Sequence, residues 1–359
     1  RWGLVPDQLP ELDVVQLSFA FKRGRYQDVV DEASQFIESA RSDLPPVIAH
    51  YLYLRGLAHS SLGQPAAARD DAEMAHSLFR VLKDDLQSAR SANLLGIISF
   101  RSADFQASDR WFRKAYDLHK RLGMRKNMGG NLLNLGLTCY KRGDFSQALL
   151  EIDAAQVLLE QVGAKVSLCR AGVARGNVLR QLCRFPEAQD VLLQAFQQAN
   201  ELTLAREEAL ALEFLGDVAR DQSQIEKARR YYSRALAVGS SLAPDGDLVM
   251  EVLRRQGQCL TALGRENEAV TIIGRSLGLA RNQGDRFEEG QGKRALAEAL
   301  FSLGDLDSAG RHAIQALGLL EDVGARFELA KARLTAARVG LARLNGAFDL
   351  DRDATVEEA

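Results

Sequence analysis

The sequence is short of nearly everything that interrupts a helix or builds a catalytic centre. Seven prolines in 359 residues leave long stretches in which no backbone donor is missing. Four cysteines, Cys139, Cys169, Cys183 and Cys259, lie far apart with no C-x-x-C pair. That excludes a zinc ribbon or a dithiol redox motif and suits a reduced, cytoplasmic setting. No apolar run reaches the ~18 residues that a membrane span needs. The net charge is only −2, from 46 Lys+Arg against 48 Asp+Glu, so no bulk positive field is available to hold nucleic acid. The first residues, Arg1 to Pro6, lack the basic and apolar segments of a secretory signal. They also lack an initiator Met, and the expectation is a domain belonging to a longer protein.

What remains is a folded, helix-forming composition: 46% hydrophobic and 26% charged, with Ala and Leu abundant. Arginine supplies most of the positive charge, as in GC-rich bacterial coding. The organisation is a repeat. Gly56, Gly96, Gly136, Gly176 and Gly216 are evenly spaced, with a period of about 40 residues. Gly257 comes one position late and Ala297 keeps the new register, while Leu17 fits the front end. Shortly after each, at a fixed offset, lies a turn position: Gly24, Gly63, Ala103, Gly143, Cys183, Ser223, Gly264 and Gly304. Further small residues follow at two fixed offsets, such as Ala148 and Ala155 or Ala188 and Ala195, with a larger apolar residue between them: Phe112, Ile152, Leu192, Tyr232 or Ile273.

Each unit therefore reads as two antiparallel helices of roughly 14 residues, joined by a turn with a left-handed residue. Small residues let the pair approach closely while the large one fills the gap beside them. Pro65 and Pro186 fall in the first turn of a helix, where the missing N–H costs nothing. One hairpin cannot bury its apolar face, so eight of them, over 11–322, must stack into an all-α solenoid. Ser42 to Pro46 breaks the chain between the first two units. A capping helix is expected over 327–344 and an acidic, mobile tail over 345–359. Thr355 to Glu358 reads as a capping box that starts another helix.

The stretches Asn131 to Glu160 and Ala295 to Glu321 resemble tetratricopeptide repeats, and the pattern runs from about Glu11 to about Leu344. Units of about 40 residues, not the usual ~34, resemble the longer repeats of maltose-activator-type bacterial regulators. Kinesin light chains, quorum-sensing phosphatase-type peptide sensors and polarity scaffolds have similar repeats. The extra length is expected in the helices and in the links between units. The resemblance implies one right-handed α-α superhelix over 1–359, with the first helix of each unit lining a concave groove.

Chemistry is scarce. No phosphate loop occurs, and no G-x-G-x-x-G follows a strand. The five histidines, His50, His59, His76, His119 and His312, form no H-E-x-x-H. Acidic pairs such as Asp84-Asp85 and Glu288-Glu289 are expected in solvated links. No catalytic residue, metal or cofactor is expected. Helical geometry aims three or four residues per unit into the groove. Units two to five offer Tyr53, Arg90, Asn93, Phe100, Arg101, Leu137, Tyr140, Lys141, Arg170, Asn177 and Arg180, with Asn134 as a holder of ligand backbone. They mix aromatics and cations without an acid, whereas units six to eight alternate Glu213, Asp217, Arg220, Arg254 and Glu298.

An apolar and basic groove suits a peptide or partner protein with hydrophobic and acidic anchors. The expected role is a cytoplasmic interaction module in a larger bacterial signalling or transcription regulator, with no enzyme activity and no contact with nucleic acid or membrane. An internal effector domain is an alternative partner. A small-ligand sensor and a freestanding scaffold are alternative roles. The Lys/Asn pair with which chaperone-binding repeats clamp a carboxylate is missing; Tyr53/Leu57, Asn93/Ile97 and Leu133/Leu137 stand there instead.

Overall fold

A computed structural model describes residues 10–39 and 45–357, with side chains described from 13 to 345. The expectations for Arg1 to Pro6, for 42–44 and for Glu358 lie outside the described residues. Within them are seventeen α-helices and no strand. The chain divides into two compact units, 1–135 and 136–359.

The first unit holds the hairpins α1 (Pro10–Lys22) with α2 (Tyr26–Ser39), α3 (Pro45–Ser61) with α4 (Pro65–Val81), and α5 (Asp85–Arg101) with α6 (Phe105–Arg121). The division falls inside α7 (Arg125–Arg142). The second unit continues with α8 (Phe145–Gln161), then α9 (Lys165–Gln181) with α10 (Phe185–Glu201), and α11 (Ala205–Asp221) with α12 (Ile225–Leu242). It ends with α13 (Asp247–Ala262) and α14 (Glu266–Gln283), α15 (Arg286–Ser302) and α16 (Leu306–Asp322), and a lone α17 (Arg326–Glu357). The odd-numbered helices are the first helices of the repeats. Both units are all-α stacks of hairpins, as the α-α superhelix class requires.

The hairpin packing follows the repeat. In the second unit a Cβ added at Gly216 would lie 2.5 Å from the Tyr232 ring, and one at Gly176 would lie 2.4 Å from Leu192. The large residue of each second helix thus occupies the space that the glycine of the first leaves open. Tyr232 and Leu192 are completely buried there.

Helix length differs from expectation. From α3 to α16 the helices run 16–18 residues, because the links between units are as tight as the turns within them. A single left-handed residue reverses the chain in both places: positions 63, 83, 103, 123, 143, 163, 183, 203 and 223 all have positive φ. The structural period is therefore one helix and one turn, half the period of the small residues. The extra position between Gly216 and Gly257 arises at the α12–α13 link, where Ala243 is extended and the connection runs from 243 to 246.

Five of these left-handed positions are not glycine: Lys83, Ala103, Cys183, Thr203 and Ser223. A left-handed L-residue costs roughly 1–2 kcal/mol, most of all when β-branched. Thr203, at φ +51°, combines both faults. Thr203→Gly is expected to raise stability by about 0.5–1 kcal/mol after the greater freedom of glycine in the unfolded chain is counted. Urea midpoints measure this, with Gly163→Thr as the opposite change; an unchanged or lower midpoint for Thr203→Gly disproves the assignment of strain.

The chain end also differs. The helix expected over 327–344 continues to Glu357 as one element of 32 residues, so Thr355 lies within a helix and starts none. At the other end of the second unit, the α7–α8 turn packs on the start of α17. Asp144 pairs with Arg326, and the rings of Phe145 and Phe327 meet edge-on at 4.9 Å. Positions 182 residues apart in sequence thus join by an ion pair and an aromatic contact.

Candidate functional site

In the first unit, α1, α3 and α5 lie side by side and enclose a cavity of about 290 Å³. Its walls are Val14, Val15, Phe19, Tyr53 and Leu54, with Ser18, His50 and Gln87 among them, and Lys22 and Arg90 at its edge. Val15 and Phe19 are more than half exposed, which is unusual for residues that a core could have taken. Lys22 Nζ lies 5.6 Å from the centre of the Phe19 ring. Arg90 Nη1 donates a long hydrogen bond, 3.5 Å, to Gln87.

Among the described residues no carboxylate lines this cavity. Burial lowers the pKa of His50, Asp84 beyond the lining raises it, and Arg90 lowers it again. Burial also raises the Tyr53 pKa against the pull of Arg90. Both side chains are neutral near pH 7, so the charge of the lining is that of Lys22 and Arg90. Further along the same face of α5, Asn93 Oδ1 accepts a hydrogen bond from Asn131 at 2.9 Å. Phe100 meets Phe105 edge-on, and Arg101 donates to the Ser60 carbonyl at 3.1 Å. Asn134 is half-buried on α7.

The second unit uses its cations differently. Arg180 is 7% exposed; it reaches Asp221 at 2.6 Å and Asp217 at 3.6 Å and also donates to Asn177. Asp217 in turn receives Arg255 at 3.1 Å, Arg220 at 3.2 Å and the Tyr232 hydroxyl at 2.7 Å. Arg254 meets Glu288 at 3.1 Å. Lys141 lies 3.6 Å from Glu288 and 3.9 Å from the Phe287 ring centre. Arg170 donates to Glu207 at 2.6 Å, and Tyr140 accepts from Gln181. Leu137 is half-buried beside them on α7.

This corrects two expectations. Lys141, Arg170 and Arg180 are not idle cations of a basic groove, because acids of the following repeats already neutralise them. Glu288 is no solvated link residue; it is 3% exposed at the centre of the network. Burial opposes the charge of Asp217, but Arg255, Arg220 and Arg180 outweigh it and hold the carboxyl far below its usual range. Burial opposes Arg180 too, and Asp217 and Asp221 keep its pKa above the ordinary value. Glu213 goes the other way. Arg255 Nη2 stands 2.9 Å away, yet neither oxygen finds hydrogen-bond geometry, and burial pushes its carboxyl well above normal.

A second cavity, about 350 Å³, opens where α13, α15 and α17 meet. Gln258, Thr261, Glu298, Phe301, Thr335 and Arg338 line it. Arg294 donates to Glu298 at 2.6 Å and Thr335 does so at 3.0 Å. Among the described residues no cluster of His, Cys, Asp or Glu could hold a metal ion, and no helix is long and apolar enough to cross a membrane.

The family comparison agrees with this architecture. The tetratricopeptide repeat model matches residues 167–241 and, overlapping, 207–282. No curated protein sequence matches the chain. Among solved structures, a Rap protein complexed with competence and sporulation factor superposes with a TM-score of 0.64 at 11% identity, covering 94% of this chain and 99% of its own. NprR in complex with its cognate peptide NprX gives 0.64 at 12% identity, over 95% and 99%. Aspartyl phosphate phosphatase F from Bacillus subtilis gives 0.51 at 13%, over 96% of each chain. Likeness at such identities concerns the fold.

Proposed function

We propose that this tetratricopeptide-repeat chain is a recognition module without catalytic activity, serving a bacterial signalling or transcription regulator. It binds a peptide, or a segment of a partner protein, along the first-helix face of the first unit. The observation that carries this reading is the α1–α3–α5 cavity: apolar walls, two cations at the edge, and no carboxylate among the described lining residues. An apolar side chain next to an acidic group fits such a surface, since burying the first strengthens the attraction felt by the second. Tyr53 and Arg90 are the central contacts, and Asn93, Phe100 and Arg101 extend the track along α5. The peptide held by NprR and the factor held by the Rap protein support the choice of ligand class. The scatter of the four cysteines, with no C-x-x-C pair, supports a reducing, cytoplasmic setting.

Panning a random hexapeptide library against the whole chain tests the proposal. Enriched peptides are expected to place Asp or Glu beside Leu, Phe or Trp. Arg90→Glu is expected to weaken them at least tenfold, about 1.4 kcal/mol or more, with an unchanged thermal midpoint. Arg286→Glu, on a surface ion pair of the second unit, serves as the control. Enriched peptides without acids, or binding indifferent to Arg90→Glu, reject the reading.

A small-ligand sensor is the second reading, favoured by the hydrogen-bonding walls of the α13–α15–α17 cavity. A metabolite that raises the thermal midpoint of the wild type but not of Glu298→Ala supports it.

A further inference from the structure

Along the first helices of the second unit, cations meet acids: Lys141, Arg180, Arg254 and Arg294 each have a carboxylate within 4 Å. Arg338 of α17 departs from this. It lines the α13–α15–α17 cavity together with Glu298, yet the two form no ion pair. The Arg338 guanidinium lies over the Phe301 ring, 5.3 Å from its centre, and its N–H groups make no hydrogen bond among the described residues.

The unfilled groups are ordered along the helices. Glu298 and Thr335 meet at one level, through the 3.0 Å hydrogen bond to Oε1. Phe301 and Arg338 meet at the next, each three positions further along its own helix. The two charges thus stand at successive levels, about 4.5 Å apart along the helix axes. Glu298 Oε1 is occupied by Arg294 and Thr335, whereas Oε2 accepts nothing among the described residues. Arg294 also faces Glu328 at 3.8 Å, and Lys331 pairs with Glu328 at 3.1 Å. These two cations balance the two acids, and Arg338 is the charge left over. Gln258 Oε1 already accepts from Arg220 at 3.0 Å, which leaves the Gln258 amide to donate into the cavity. Phe301 and Val339 supply apolar wall.

A carboxylate on the ligand matches Arg338 and the Gln258 amide. It cannot come alone, because the open oxygen of Glu298 repels a second anion and calls for a donor. A cationic donor serves there better than a neutral one, since charge-assisted hydrogen bonds are roughly twice as strong. An ammonium and a carboxylate borne on one carbon atom meet both demands within a cavity of about 350 Å³.

We propose that the α13–α15–α17 cavity binds a free α-amino acid with an apolar side chain. Its ammonium lies on Glu298 Oε2, its carboxylate on Arg338 and Gln258, and its side chain against Phe301 and Val339. This rests on the second reading above, that the cavity takes a small ligand, and names the class of that ligand.

Titration calorimetry of the full chain with L-leucine, L-methionine and L-phenylalanine tests the proposal. At least one of them is expected to bind and to raise the thermal midpoint. The N-acetyl derivative of that amino acid lacks the ammonium, and its amide lacks the carboxylate. Each is expected to bind at least about tenfold more weakly. Arg338→Gln, at an exposed side chain, is expected to keep the midpoint of the unliganded chain. It should weaken the amino acid by at least about tenfold and leave the affinity for the amide unchanged. Equal binding of the amino acid and its amide overturns the proposal, as does an amino acid whose affinity is indifferent to Arg338→Gln. Failure of all three amino acids to bind at millimolar concentration overturns it too. If a neutral metabolite then still raises the midpoint of the wild type and not that of Glu298→Ala, the small-ligand reading stands and the amino acid alone is lost.

Discussion

Asp217→Asn is expected to destabilise the second unit by about 3–5 kcal/mol, the usual result of removing one partner from a buried ion pair. The change keeps the shape and removes one charge. Asp217 is 1% exposed, and its carboxylate is shared by Arg180, Arg220 and Arg255 while accepting the Tyr232 hydroxyl. Without it, Arg180 and Arg255 stay buried and Arg220 half-buried, with Glu213, Asp221 and Glu251 as their remaining acids. For a unit of this size the thermal midpoint is expected to fall by about 10 °C. Asp153→Asn, in a half-exposed pair with Arg175, is expected to change stability by less than about 1 kcal/mol.

The same variant has a signature in acid. Asp217 titrates far below its unfolded value of about 3.9, and Glu328 is lowered to about 2 by Lys331 and Arg294 in spite of burial. A carboxyl depressed in the folded state contributes stability above its unfolded pKa and loses it as the pH falls toward the folded one. Wild-type stability is therefore expected to drop steeply below about pH 4. Glu213, whose pKa is raised, contributes in the opposite sense and loses its share as the pH rises. Asp217→Asn is expected to flatten the acid limb, as followed by urea unfolding between about pH 5 and pH 3. A variant that loses stability equally at every pH speaks against an ionised Asp217 as the anchor.

The second large effect inverts a common rule. Alanine for glycine inside a helix normally stabilises by about 1 kcal/mol. Gly216→Ala is expected instead to destabilise by about 1–3 kcal/mol, because the new methyl group would lie 2.5 Å from the Tyr232 ring. The ring has no escape, being fully buried and tied to Asp217 by its hydroxyl. Gly274→Ala, on an exposed face of α14 where nothing lies within 4 Å, is expected to stabilise by about 0.5–1 kcal/mol. Opposite signs for the two variants in thermal melts support the packing argument, and equal signs refute it.

The hairpins were legible because their rule is local. A small residue such as Gly216 and a large one such as Tyr232 belong to the same hairpin, close enough in sequence for a fixed offset to report their contact. Even there, the period visible in the small residues was that of the whole hairpin, while the backbone repeats with every helix. The links carried a broken signal: Gly123, Gly163, Gly284 and Gly324 hold the left-handed position there, but Lys83 and Thr203 take it without being glycine and interrupt the series. In the candidate site, helical geometry placed Tyr53, Arg90 and their neighbours on one face. It did not show that Lys141 and Arg180 on the corresponding face of later helices are already paired. Such pairing depends on which helix stands next and how far each side chain reaches, and no offset within one repeat contains that.

By itself the sequence determined the all-α class, the hairpin unit, its closest contacts and the side of each first helix that faces away from its partner. These follow from side-chain size and helical period, both properties of neighbouring residues. Only the tertiary structure decided which charges on that side are available. In the second unit, burial makes an unpaired charge so costly that Lys141 of α7 and Arg180 of α9 are matched by acids of α15 and α11. In the first unit Lys22 and Arg90 sit at an exposed rim beside a cavity with no acid among its described lining residues. Water tolerates such charges there, and a ligand can use them.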